Sequence, residues 1–127
     1  SDEDTTQAIE SVANALSQRV YRANSKRRRE IHLTGVFACN FVNALYSMAT
    51  DLLDEREGLP FDVLRPLIEE TAAKAVEAAH PRNVQTGPAV RGDKAVAERH
   101  VAMLGEANQQ EIYKLLTDYI WQTSRKI

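Results

Sequence analysis

Cysteine is almost missing from these 127 residues, histidine occurs three times, and the formal net charge is only −2. The single thiol, Cys39, rules out an internal disulfide and a cysteine-built metal site, and it reads as a packing residue. His32, His80 and His100 have no spacing that suggests zinc, so no metal is expected. A weakly acidic chain does not bind polyanions over its whole surface. No segment combines the charged start, short apolar run and small-residue cleavage site of a signal peptide. Residues 31–53 come nearest to a long hydrophobic run, but Thr34, Asn40, Asn43, Ser47, Thr50 and Asp51 interrupt it, and no membrane span is expected. A GxGxxG turn, a P-loop and a GxSxG elbow are all missing, as are internal repeats and low-complexity stretches. The expectation that remains is one soluble, cytoplasmic domain with a modest core.

The chain divides into helical segments. Residues 2–17 place Ile9, Val12, Ala13 and Leu16 at helical spacing behind Asp2 or Asp4 as cap. Residues 18–24, QRVYRAN, read as a short strand or a link, and a strand here would need a sheet that the rest of the chain does not supply. Ser25 is expected to cap a long helix over 25–56, stopped by Gly58 and Pro60 and roughly 45 Å in length. Another helix is expected to begin at Pro60-Phe61-Asp62, with Pro66 restricting its first turns. Its apolar stripe is Leu64, Leu67, Ile68, Thr71, Ala72, Ala75, Val76 and Ala79, and His80-Pro81 ends it. A glycine- and proline-rich turn, TGPAVRGD (86–93), follows, and Asp93 can cap a short helix over 94–104 with Val96, His100, Met103 and Leu104 inward. After Gly105 a last helix over 107–124 turns Ile112, Leu115, Leu116, Tyr119 and Ile120 inward.

The long helix has two dissimilar faces. At about 100° per residue, Ile31, Leu33, Phe37, Phe41, Ala44, Leu45, Met48, Ala49 and Leu52 fill a wide apolar arc, which suits a helix packed on several sides. The opposite arc holds Arg28, His32, Val36, Asn40, Asn43, Tyr46, Ser47 and Thr50. Between His32 and Thr50 that arc has no formal charge apart from a potential imidazolium, whereas a solvated face is normally Lys and Glu. Neutral hydrogen-bonding groups in a row suit either the wall of a cleft or a buried polar seam between helices. Of the other candidates, Lys26-Arg27-Arg28-Arg29 is a solvated first turn more readily than a phosphate site, so no nucleic-acid partner is expected. His100 on its apolar stripe reads as a satisfied core histidine, and Arg91-Gly92-Asp93 as a coincidental match to an adhesion tripeptide.

Two of these stretches carry a resemblance. HLTGVFACNF (32–41) resembles the first signature of a family assigned as NADP-dependent oxidoreductases and carrying a domain of unknown function. TGPAVRGD, with His100 seven residues beyond Asp93, resembles the family's second signature. The Ser25, Arg28 and His32 spacing and Ile112-Tyr113 extend the likeness over nearly the whole chain. The resemblance implies a mainly α domain built round one long helix, similar to the C-terminal domain of the 6-phosphogluconate dehydrogenase superfamily, with residues 25–127 serving substrate binding and dimerisation. Residues 1–24 would be the last helix and strand of a Rossmann-like cofactor domain. NADP would bind that other domain and none would bind here. The resemblance further implies a substrate cleft beside the long helix, for reduction of a carbonyl or imine. His32 is then the general acid and Asn40 or Asn43 orients the substrate. Arg28 or Arg91 attracts an anionic group, and Thr86, in the same turn as Arg91, also binds substrate. The alternative is a non-enzymatic helical interaction module whose polar arc is only a packing seam.

Overall fold

Asn24, rather than Ser25, opens the long helix. Its backbone is still extended, and its Oδ1 accepts a hydrogen bond from the Arg27 N–H at 2.8 Å, satisfying one of the helix's free donors. The computed structural model describes residues 7, 9–12 and 24–125. Among these every regular element is helical and no strand occurs, so the fold is all-α as expected. The strand or link foreseen over 18–23 lies outside the described residues, as does most of the helix over 2–17, of which residues 9–12 are helical.

The described chain falls into two compact units, Ser1–Leu64 and Arg65–Ile127. In the first, α1 (Ser25–Gly35), a π-helical turn (Val36–Phe41) and α2 (Val42–Glu57) run on as one helix of 33 residues. Gly58 ends it in the left-handed conformation, φ 64°, with its N–H bonded to the Asp54 carbonyl at 2.8 Å. By length and composition this helix would pass for a membrane span. The polar side chains from Thr34 to Asp51 argue against lipid on all sides. Just before the π turn, a Cβ on Gly35 would stand 2.9 Å from Ile9 Cγ2. The missing side chain therefore lets Ile9, 3% exposed, close onto the helix.

The helix expected from residue 60 is broken in two. Phe61–Val63 forms a 3-10 turn, and α3 restarts at Arg65 and runs to Glu77. Pro66 explains the break: it has no N–H to donate, and its ring would meet the carbonyl four residues back, so it is tolerated only in a first turn. In the second unit, α3 is followed by a 3-10 turn (Pro81–Val84), α4 (Pro88–Arg91), α5 (Lys94–Met103) and α6 (Ala107–Ser124). His80 caps the 3-10 turn, its Nδ1 accepting from the Arg82 N–H at 3.2 Å. Gln110 Nε2 donates to the carbonyls of Val101 at 3.1 Å and Leu104 at 2.8 Å, tying the end of α5 to α6.

Burial departs furthest from expectation. Among the described residues Ile9 is the only fully buried one. Ile68, Ala75, Val96, Leu104, Ile112 and Ile120 are half-buried, but Leu67, Val76, Met103, Leu115, Leu116 and Tyr119, also expected inward, are exposed. His100 is exposed too, so it is not a core histidine. The wide apolar arc of the long helix is not packed on several sides: Leu33, Phe37, Phe41 and Leu45 are open, with Phe37 62% exposed.

Candidate functional site

The π turn resets which side chains of the long helix share a face. An α-helix advances about 100° per residue, and a π turn absorbs one extra residue with little net rotation. Across Val36–Phe41, Leu33 and Leu45 come within about 20° of each other instead of about 120° apart. Leu33, Phe37, Phe41 and Leu45 thus form one straight exposed stripe, in which the Phe37 and Phe41 rings meet edge to face at 5.0 Å. The same reset turns His32 and Asn43 from about 20° apart to about 80° apart, so the arc read from uninterrupted periodicity does not hold both on one line.

His32 is exposed and its ring has no hydrogen-bond partner among the described residues. Asn40 lies within the π turn and is half-buried, while Arg28 and Asn43 are exposed. Thr34 donates to the Ile31 carbonyl at 2.7 Å and Thr50 to the Tyr46 carbonyl at 2.7 Å. Both hydroxyl protons are thereby committed to the helix's own backbone. The groups free to meet a small molecule on this helix include His32, Asn40, Asn43 and Arg28, with the Tyr46 and Ser47 hydroxyls beside them. π turns are frequent at functional sites, and this one falls inside the first signature.

The TGPAVRGD segment is not an irregular loop. Gly87, φ 107°, leads into Pro88 at the first position of α4, a single helical turn. Gly92, φ 67°, ends it, with the Gly92 N–H bonded to the Ala89 carbonyl at 3.2 Å and the Asp93 N–H to that of Pro88 at 2.9 Å. Asp93 then caps α5, its Oδ1 accepting from the Val96 N–H at 3.2 Å. No ion pair joins Asp93 to Arg91 among the described residues, and Arg91 and Thr86 are exposed. Gly92 also lies against Trp121 of α6: a Cβ there would be 3.0 Å from Cζ3 and 3.2 Å from Cη2. Of the residues foreseen for the site, Arg28, His32, Asn40 and Asn43 belong to the first unit, and Thr86 and Arg91 share one turn of the second.

Two arrangements escaped sequence reasoning. His100 of α5 shares a 2.8 Å hydrogen bond with the Tyr113 hydroxyl of α6 through Nδ1, and the rings stand edge to face at 5.7 Å. The pair fixes the imidazole's orientation and leaves Nε2 unbonded among the described residues. The 13-residue separation across a turn hid it, although His100 and Tyr113 each stand within the quoted likeness. The second is the surround of Trp121, where the Arg125 guanidinium lies 4.1 Å from the ring centroid. No group of histidine, cysteine and carboxylate side chains suited to a metal ion occurs among the described residues.

Comparison with solved structures finds a match at 44% identity and TM-score 0.74, described as "putative NADP oxidoreductase BF3122 from Bacteroides fragilis". The match covers 79% of this chain and 38% of that one, so the chain spans well under half the length of that protein. No curated protein matches. The model of the family described as Domain of unknown function (DUF2520) matches residues 1–120, both signature segments included. The chain belongs to that family.

Proposed function

We propose that this chain is the C-terminal substrate-binding and dimerisation domain of a cytoplasmic NADP-dependent oxidoreductase that reduces a carbonyl or imine. The observation that carries this reading is the 44% identity, over 79% of the chain, to the protein described as a "putative NADP oxidoreductase". The neutral polar groups exposed on the long helix support it, since reduction of a C=O or C=N bond needs a proton donor and orienting hydrogen bonds beside the reacting atoms. His32 donates that proton, Asn40 or Asn43 orients the substrate, and Arg28 or Arg91 attracts an anionic group. NADP is placed by this reading outside the chain. Gly58 and Gly92 end helices and Gly87 starts one, and none of them belongs to a glycine-rich phosphate turn after a strand. The cofactor belongs to a separate domain of the longer protein, and this chain alone turns over no substrate.

Dimerisation rests on the stripe of Leu33, Phe37, Phe41 and Leu45. It is straight because the π turn straightens it, it is open, and nothing charged interrupts it. Apolar surface in that quantity is unfavourable in water. A second copy offers the same stripe in two-fold arrangement, the commonest symmetry for a self-complementary patch. The alternative, a non-enzymatic interaction module, draws on the same stripe and reads the polar arc as a packing seam, but His32 and Asn43 are exposed.

Calorimetric titration with NADPH tests the enzymatic reading. The longer protein is expected to bind NADPH, and this 127-residue chain is expected to bind it no tighter than about 10 μM, near 7 kcal/mol. Failure of the longer protein to bind would transfer the case to the interaction module. Tight binding by the short chain would relocate the cofactor site.

A further inference from the structure

A recess of about 380 Å³ opens beside Trp121 in the second unit, walled by Arg82, Asn83, Val90, Ser124 and Arg125. Among the described residues two of its lining side chains are cationic and none is acidic. Each guanidinium lies beside an aromatic ring, and neither is paired with a carboxylate among the described residues. Arg125 lies over Trp121 at 4.1 Å. Arg82 places Nε 3.2 Å from Nδ1 of His80 and Nη2 3.1 Å from Nε2. A neutral imidazole has a single in-plane lone pair, and here the Arg82 backbone N–H already uses it. With Nδ1 as the acceptor, Nε2 carries the ring proton and cannot accept from Nη2, so the neutral ring lies beside the Arg82 guanidinium without neutralising it. Neither arginine has an ion-pair partner among the described residues.

We infer that this recess binds a small molecule bearing an oxyanion on an aromatic or apolar body. The charged end is held between Arg82 and Arg125, whose planar forks match carboxylate and phosphate oxygens. Trp121 and Val90 receive the apolar body, and Asn83 supplies a neutral hydrogen bond, whereas the Ser124 hydroxyl proton is already donated to the Trp121 carbonyl at 3.0 Å. The volume is in the lower range of small-molecule sites. The TGPAVRGD turn builds this recess: Val90 comes from its helical turn, and the missing Cβ of Gly92 lets that turn lie against Trp121. None of this depends on the oxidoreductase reading, because every residue belongs to one unit and none is on the long helix.

Trp121 is the only tryptophan in the chain, so its fluorescence reports the recess directly. The probes are benzoate, phenyl phosphate and neutral benzamide, titrated at constant ionic strength. At least one of the two anions is expected to change the emission saturably below about 10 mM, and benzamide is not. The tighter anion identifies carboxylate or phosphate as the natural group. Arg82→Gln together with Arg125→Gln should weaken the response at least tenfold with unchanged far-ultraviolet circular dichroism. If the double variant does not fold, Arg125→Gln alone, at an exposed helix end, should weaken it several-fold. Equal responses to benzamide and the anions, no saturation by either anion, or an undiminished response in the folded variants would each overturn the inference.

Discussion

Replacing Gly92 by alanine perturbs two features of the structure at once, and a companion glycine separates them. Gly92 has φ 67°, where a side chain costs about 1–2 kcal/mol. The new Cβ would also sit 3.0 Å from Trp121 Cζ3 and 3.2 Å from Cη2, so the indole must move. Trp121 is partly exposed and has room to give, which puts this cost at the low end of overpacking, about 1 kcal/mol. Alanine restricts the unfolded chain and returns roughly 0.5 kcal/mol. The net expectation for Gly92→Ala is a loss of about 2 kcal/mol. Gly58, φ 64°, has nothing within 4 Å of its would-be Cβ, so Gly58→Ala should lose only about 1 kcal/mol. Gly105 has neither a positive φ nor a neighbour within 4 Å, and Gly105→Ala should be neutral or slightly stabilising. The assay is urea unfolding followed by circular dichroism at one fixed protein concentration, with tryptophan emission read in parallel. Only Gly92→Ala should shift the native emission. If Gly92→Ala loses no more than Gly58→Ala, the turn does not depend on its approach to Trp121, and that account of TGPAVRGD is wrong.

His32→Asn should change folding stability by less than about 1 kcal/mol, because the ring is exposed. In the longer protein it should slow reduction by roughly 10²–10⁴-fold once a substrate is in hand. A sharp drop in the melt would make His32 structural, and wild-type turnover would move the proton donor elsewhere. Phe37→Glu with Phe41→Glu should convert a species of twice 14.2 kDa into one of 14.2 kDa by sedimentation at micromolar concentration. A wild-type chain already monomeric under those conditions would remove the dimer proposal. Tyr113→Phe keeps the edge-to-face contact with His100 but deletes the hydroxyl, and should cost about 0.5–1.5 kcal/mol in urea unfolding. No measurable loss would show that the bond is not maintained in solution.

What the sequence determined by itself was local. Gly58 and Pro60 stop the long helix, Asp93 caps α5, and the last helix spans 107–124, because capping and backbone preferences act within a few residues and leave their mark in residue type. Those same rules made the described residues all-helical where they are regular, and the two signature segments made the family recognisable. The helix break at Leu64 was half-legible: Pro66 announced a restriction, but only the structure shows it as a 3-10 turn and a fresh start. The π turn was not legible at all, since a helical wheel assumes constant rotation and a single absorbed residue leaves no compositional trace. Its effects on the Leu33 to Leu45 stripe and on the separation of His32 from Asn43 therefore belong to the structure. So do the pairing of His100 with Tyr113 and the recess round Trp121, because contacts between helices depend on packing direction, which periodicity does not encode. Periodicity also marks a side chain as apolar without saying what covers it. Leu33, Phe37, Phe41, Leu115 and Tyr119 fit the pattern of inward positions, yet the tertiary structure leaves all five open.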